Sequence, residues 1–309
     1  MIAVTGANGF VGRALIEQLR ADGVPVRALV RHATHPQEVS VDAIGPHTDW
    51  TSALDGIDCV IHCAAHVHQM GRAPQDADDR YLQINTQGTA RLAAEAARLG
   101  VRRLVFVSSV KVMGEASPPG VPWRLSDTPH PEDAYGRSKW AAEQALWAVS
   151  SQTGLEVVIV RPPLVYGPGV RANFRSLMRW VQRGWPLPVG AIHNQRSLVA
   201  LDNLVSLLAL CARAPRAAGQ TFFVSDGHDL STGDLARAIA RASGRRALIL
   251  PVPPAWLRLA GRMTGRSAAI DRLLGDLQVD IGHTIERLDW RPVLTVEQAL
   301  RKVVQAPKA

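Results

Sequence analysis

The opening stretch MIAVTGANGFVGRAL (residues 1–15) decides how the rest of the chain is read. Ile2 to Val4 has the character of a buried strand, because a β-branched run stops abruptly at a glycine. From Val11 to Leu19 the apolar residues recur at helical spacing, with Arg13, Glu17 and Gln18 between them. Gly6, Gly9 and Gly12 therefore form a strand-to-helix turn. Such a turn lets the backbone approach a pyrophosphate, whose charge then faces the positive end of the helix. An ordinary glycine turn has the same local pattern, so the motif alone leaves both readings open.

Composition narrows the choice. A chain of 309 residues can bury a large core, and one α/β domain with a smaller lobe is the natural expectation. Hydrophobic content of 47% and charged content of 20% are ordinary for a globular protein. No apolar stretch reaches membrane-span length, and Met1 leads directly into a strand without a charged leader, so a cytoplasmic protein with no membrane partner is expected. Cys59 and Cys63 read as members of one apolar strand and Cys211 as part of a helix, which gives no disulfide or zinc framework. His66 and His68 form an HVH pair, but no third ligand follows at metal spacing, so no metal is expected. The net charge of +8 is spread over many helices rather than gathered in a basic, aromatic-interleaved block. That distribution points to an anionic small molecule rather than nucleic acid.

Strand-like runs IAVTG, VRALVR, DCVIHCAA, RLVFVSS and LEVVIVRPP alternate with amphipathic stretches such as TARLAAEAARLG and SKWAAEQALWAVSSQTG, both of which end at a glycine. This alternation predicts a doubly wound parallel α/β sheet with ligands at the carboxyl ends of its strands. After RPPLVYGPG the rhythm changes to helices joined by proline-rich connections, interrupted by RSLVALDNLVSLLALCARA and TFFVSD, which can return to the sheet. The expected division is a nucleotide-binding domain of residues 1–166 with 196–226, and a smaller, mostly helical substrate lobe of residues 167–195 with 227–309.

Within AYGRSKWAAE, Tyr135 lies four residues before Lys139, and at the start of a helix such a pair shares a face. An ammonium beside a phenol favours phenolate, lowering a reference pKa of about 10 toward a usable range. VFVSSV adds a hydroxyl, Ser109, at a strand end. Together these three make a proton-transfer set beside a nucleotide site.

These motifs, with VIHCAA, NTQGT (Asn85 to Thr89), VSSVKVMGE, RPPLVYGPG, RSLVALDNL and the terminal LDWRPVLTVEQAL, resemble an extended short-chain dehydrogenase/reductase of the nucleotide-sugar epimerase/dehydratase family. The resemblance runs along essentially the whole chain. It implies a Rossmann domain for NAD or NADP, with Ser109, Tyr135 and Lys139 as the catalytic triad. Ser109 is preferred to Ser108 because only that register matches the family's SSxxVYG. Tyr135 would exchange a proton with a sugar oxygen, Lys139 would hold the nicotinamide ribose, and Ser109 would hydrogen-bond the reacting oxygen. The cofactor-binding residues it implies are Gly6, Asn8, Gly9, Phe10, Val11, Gly12, Ala64, Asn85 and Lys139. Asn85 would support the sheet beside the site, with a plain helix cap as the competing reading. For the substrate it implies Asn173, and Arg196 as a guanidinium fork on a diphosphate. Arg272 would be a second such arginine, its match offset by one residue. Relatives are often dimers, so a homodimer is a further expectation.

Two departures bear on the cofactor. Where many relatives carry an acid after the second strand, this chain has Val30 and Arg31, and an arginine there suits a 2′-phosphate. The aspartate that relatives place near the adenine is displaced, with Asp49 as its substitute. The resemblance implies an NAD(P)-dependent reaction at carbon 4 of a nucleotide-activated, UDP-linked hexose; Arg31, with the likeness of SSVKVMGE and RSLVALDNLV to reductases of surface-polysaccharide pathways, puts a 4-ketoreductase ahead of a UDP-hexose 4-epimerase. A 4,6-dehydratase is discounted, because Val110 and Lys111 stand where its acid pair would be. A cofactor-sensing binding protein that has lost catalysis is a further alternative.

Overall fold

A computed structural model describes residues 1–67, 77–170 and 172–306, with only the backbone of residues 77, 172 and 173. Strands β1 (Ile2–Thr5), β2 (Val26–Val30), β3 (Glu38–Ser40), β4 (Cys59–His62), β5 (Arg103–Val107) and β6 (Glu156–Arg161) join β9 (Gln220–Phe223) in one sheet. Its order is β3-β2-β1-β4-β5-β6-β9, and every pairing is parallel. The order reverses at β1, where the crevice between β1 and β4 opens at the carboxyl ends of the strands, the place at which doubly wound sheets bind ligands. The remaining strands, β7 (Leu164–Tyr166) and β8 (Leu198–Ala200), pair only with each other. Of the two late segments expected to return to the sheet, TFFVSD does so as β9, while the strand in RSLVALDNL does not.

Parallel strands covered on both faces must be apolar on both faces, which is why they read as continuous runs. Alternate residues divide between two cores. Val4, Ile61, Val105 and Val158 face α1 (Phe10–Ala21) and α7 (Leu201–Arg213). Ala3, Val60, Leu104 and Val157 face α4 (Gly88–Arg98) and α5 (Ala134–Thr153), with the short α2 (Thr51–Leu54) completing that layer. Helix α5 starts at the Asp133 cap and stops at Gly154, whose φ of 76° a residue with a Cβ adopts only with strain.

A third core, distinct from those two, unites α6 (Ala172–Gln182), α8 (Thr232–Ala242), α9 (Pro254–Met263), α10 (Ser267–Leu274) and α12 (Val296–Gln305) around Phe174, Leu235, Ile239 and Leu300. Helix α11 (Gly282–Leu288) packs against β9. Before α4 lies a helical turn, α3 (Ala77–Arg80), that runs into a π-helix over Tyr81–Gln87.

Candidate active site

The turn between β1 and α1 is built for close approach. Gly6 has a φ of 65°, and a Cβ there would lie 2.8 Å from the Ala64 nitrogen. A Cβ on Gly12 would lie 2.2 Å from the Gly6 carbonyl oxygen, so the helix can start this near the strand only with glycine. Helix α1 has no side-chain cap and no acid in its first turn. Its leading N–H groups are thus left for an outside acceptor, and an anion suits them. Asn8 and Gly9 are exposed at the tip, while Phe10 and Val11 are half-buried behind it. Ala64, half-buried just past β4, donates its N–H to Thr5 Oγ1 at 3.2 Å, so the crevice is lined by backbone on both sides. Cys63 falls just beyond β4 and not within it.

Arg31 is the first residue after β2; it is exposed, and among the described residues it has no hydrogen-bond or ion-pair partner. Asp49 is also exposed, and its Oδ1 accepts from Thr51 N at 2.9 Å, at the turn that leads into α2.

Asn85 sits inside the π-helix, which rules out the helix-cap reading. Its Oδ1 accepts from His66 N at 2.7 Å, and its Nδ2 donates to His66 O at 3.0 Å and to Ser138 Oγ at 3.0 Å. Both of its N–H donors are thus taken by protein. It clamps the loop after β4 to the first turn of α5, and so positions the crevice. His68 lies outside the described residues, and the described ones hold no cluster able to bind a metal.

At the end of β5 two adjacent serines diverge. Ser108 is buried and donates its hydroxyl proton to Glu143 Oε1. Glu143 also accepts from Arg161 Nη2 at 2.6 Å and Nε at 3.1 Å. Ser109 is half-buried, and its Oγ accepts from Lys111 N at 3.2 Å, which leaves its own proton available. The serine loop is locked to α5, since a Cβ on Gly136 would sit 2.6 Å from the Lys111 carbonyl oxygen. Asp133 completes the joint. Its Oδ1 accepts from Gly136 N at 2.6 Å and its Oδ2 from Lys111 Nζ at 2.5 Å, while Lys111 also reaches Glu115 at 2.6 Å.

Tyr135 and Lys139 stand one turn apart on α5. Lys139 is 1% exposed, with Nζ 3.9 Å from the centre of the Phe106 ring. Among the described residues neither the Lys139 amine nor the Tyr135 hydroxyl has a hydrogen-bond partner. Burial pushes Lys139 down to about 7, with Glu143 opposing. Tyr135 is pushed up, first by burial and then by Asp133 and the nearby Tyr81, whose ring centroid is 6.2 Å away. The expected lowering of the phenol by its lysine is therefore reversed. Desolvation dominates, and the same burial that raises the phenol pushes Lys139 down, so the amine does not offset it. Beneath them His62 bridges Thr5 Oγ1 at 2.6 Å and Thr89 Oγ1 at 3.1 Å, stacked on Phe106. Burial takes His62 down to about 3, with Lys139 adding to the effect, so it is a neutral strut.

Arg196 and Arg272 come together. Arg196 Nη1 donates to Arg272 O at 2.8 Å and to Gly275 O at 2.9 Å, which fixes it at the carboxyl end of α10. Its Nε and Nη2 make no hydrogen bond among the described residues. Burial holds its guanidinium below its usual range, with Asp276 and Glu115 opposing. The Arg272 side chain is exposed, its Nε folded back on Ala268 O at 3.1 Å. Asn173 lies in the first turn of α6; its side chain is outside the described residues.

The comparisons with known proteins are consistent with this geometry. The model of the NAD dependent epimerase/dehydratase family matches residues 2–224. The chain belongs to that family. It is accordingly an NAD-dependent enzyme, and the uncapped glycine turn and the partnerless buried Lys139 amine are features that fit the dinucleotide. A UDP-glucose 4-epimerase of Vibrio cholerae is 44% identical over 311 residues, covering 99% of this chain and 94% of that protein. A 3 beta-hydroxysteroid dehydrogenase/Delta 5-->4-isomerase of Mycobacterium tuberculosis is 30% identical over 327 residues, covering 97% and 88%. The solved UDP-N-acetylglucosamine 4-epimerase from Bacillus cereus superposes with a TM-score of 0.80 at 20% identity, over 98% of this chain and 97% of that one. That likeness shows the fold.

Sequence reasoning missed the floor of the site: Glu143, Arg161, His62 and Thr89. A usable signal was present, since Glu143 follows Lys139 by one turn and Arg161 follows the apolar run Val157–Val160. Charges in such places need buried partners.

Proposed function

We propose that the enzyme is a UDP-hexose 4-epimerase acting on UDP-glucose or UDP-N-acetylglucosamine, with Tyr135 as its acid–base group. The observation that carries the reading is the end-to-end relation to the Vibrio cholerae UDP-glucose 4-epimerase at 44% identity. The steroid-acting relative is more distant, at 30%. The 4-ketoreductase reading rested on the likeness of SSVKVMGE and RSLVALDNLV to such reductases and on Arg31 as a grip for a 2′-phosphate. NAD, the family's nucleotide, has no such phosphate, so that argument no longer favours a reductase. The 4,6-dehydratase stays excluded on this chain's residues: Val110 is buried, and Lys111 is engaged by two carboxylates.

When bound, NAD supplies a reversible hydride acceptor and, oxidised, a positive ring that favours a nearby phenolate. The protein's own groups do the rest. Tyr135 Oη takes the proton of the sugar 4-hydroxyl and later returns it, and the Ser109 hydroxyl donates to the same sugar oxygen. The Lys139 amine holds the nicotinamide ribose hydroxyls, giving the buried nitrogen the partners that the protein withholds. The backbone of Gly6 to Gly12 receives the dinucleotide's pyrophosphate. Arg196, steadied on the carbonyls of α10, offers its free Nε and Nη2 to the substrate diphosphate, and the family resemblance adds Asn173 and Arg272 to the substrate set. Epimerisation requires the keto sugar to turn over in place while the nucleotide end stays anchored. A guanidinium fixed by two carbonyls suits that anchoring.

The test is incubation of the enzyme with UDP-glucose and no added cofactor, with chromatography of the products. Interconversion with UDP-galactose is expected. Stoichiometric NADPH oxidation on a UDP-4-keto-6-deoxy-hexosamine, with no interconversion of either hexose, would return the reading to a 4-ketoreductase.

A further inference from the structure

Helix α9 carries an apolar stripe on the wrong side. Leu257 and Gly261 face inward, and a Cβ on Gly261 would meet Ile270 of α10 at 2.8 Å, so the helix already has its packing face. Yet Trp256, Leu259, Ala260 and Met263, at i, i+3, i+4 and i+7, form a second stripe in solvent. Trp256 is 71% exposed, Leu259 57% and Met263 81%. Leu248 and Leu250, just ahead of the helix, are exposed as well. A contiguous apolar face of this kind marks a contact with something else.

The surrounding charge identifies the partner. From Leu235 to Ile270 the chain has seven arginines and no acidic residue. Arg241, Arg245, Arg246, Arg258, Arg262 and Arg266 are all exposed, and none has an ion pair among the described residues. On α9 itself Arg258 and Arg262 line one flank of the stripe. A second copy of this chain docking face to face would set arginine against arginine, because a two-fold contact apposes the same patch. The surface calls instead for a partner that is apolar within and anionic at its face.

We infer that α9 lies on anionic phospholipid bilayers, with Trp256, Leu259 and Met263 among the acyl chains and Arg258 and Arg262 at the phosphates. The sequence expectation of no membrane partner rested on the lack of a spanning segment. No described helix is long and apolar enough to cross a membrane, but a surface-lying helix does not need to be. The placement has a consequence for the site. Helix α9 packs on α10, whose terminal carbonyls hold Arg196, so the substrate-facing arginine stands one helix from the lipid surface while the dinucleotide sheet stays in water.

The test is co-sedimentation of the full chain with vesicles of phosphatidylcholine alone and of phosphatidylcholine mixed with phosphatidylglycerol. Binding to the mixed vesicles is expected, weakening as salt is added. It should fall by roughly tenfold or more in the Arg258→Gln/Arg262→Gln variant. It should be lost in Trp256→Ser/Leu259→Ser/Met263→Ser, with circular dichroism and thermal unfolding of both variants unchanged. Three results each overturn the inference: no binding, equal binding to both vesicle types, or binding that the triple variant retains. So does a concentration-dependent dimer that the triple variant abolishes in the absence of vesicle binding.

Discussion

Lys139 and Glu143 are one turn apart on α5, and both are buried, at 1% and 0% exposure, yet the fold treats them in opposite ways. Glu143 is saturated: Ser108 and two guanidinium nitrogens of Arg161 reach it, and Arg161 itself stacks near Trp140 and Phe223. Among the described residues the Lys139 amine makes no hydrogen bond and sits over the Phe106 ring. The same helix thus carries a charge that the protein fully compensates and one that it leaves uncompensated. The first kind is architecture. The second is an unfilled demand, and in an NAD-dependent family it is what a ligand is expected to meet.

If that contrast is right, the group beside Lys139 should dominate activity and scarcely affect folding. Tyr135→Phe should lower kcat by about 10²–10⁴, the range for loss of a general acid–base group, with dinucleotide affinity and thermal stability near the parent values. Steady-state kinetics with a binding titration decides it. Near-parent turnover would remove Tyr135 from the chemistry.

The opposite pattern belongs to Glu143. Glu143→Ala leaves the Arg161 charge buried without its partner, and breaking such a pair costs about 3–5 kcal/mol. Urea unfolding should show the loss, and the double change Glu143→Leu/Arg161→Met should recover much of it. A loss below about 1 kcal/mol in the single variant would mean that water reaches the floor, and the contrast with Lys139 would fail.

Lys139 should behave as a stability cost. Its pKa of about 7 lies below the value of about 10.4 for a free lysine, so between these limits the unfolded chain binds more protons than the folded one. Stability therefore rises with pH across that window, and below it the cost is complete. Lys139→Met in protein stripped of nucleotide should raise Tm, by more near about pH 6 than near about pH 9. A variant no more stable than the parent at the lower pH would show that a partner for the amine exists.

What the sequence revealed follows the same division. Local rules carried the glycine turn, the strand–helix alternation and the shared face of Tyr135 and Lys139, since each depends on neighbours within one or two turns. The long-range pairings escaped: Asn85 to His66 and Ser138, Glu143 to Arg161, and Arg196 to the α10 carbonyls join residues far apart in sequence. The sign of the Tyr135 shift escaped for a related reason. Spacing places a charge beside the phenol, but only the packed fold shows how much water both have lost. The π-helix also left no trace in periodicity, because its extra residue spoils the helical repeat where Asn85 must turn inward.

The smallest effect probes the joint between the two regimes. Asp133 is both a structural cap, through Gly136 N, and a charge that helps to raise Tyr135. Burial would raise its own pKa, but Lys111 and the Gly136 amide hold it below its usual value, so it is ionised at neutral pH. Two substitutions separate the roles. Asp133→Ala removes cap and charge, and should cost about 1 kcal/mol in unfolding experiments. Asp133→Asn keeps a capping oxygen and should be nearly as stable as the parent, but it deletes the charge that disfavours phenolate. The acid limb of kcat/KM against pH, where Tyr135 must lose its proton, should then move to lower pH by a fraction of a unit in both variants. A limb that moves only with Ala would assign the effect to helix geometry instead of charge. A limb that moves with neither would mean that the ion pair with Lys111 already screens Asp133 from the phenol, so that burial and Tyr81 alone raise Tyr135.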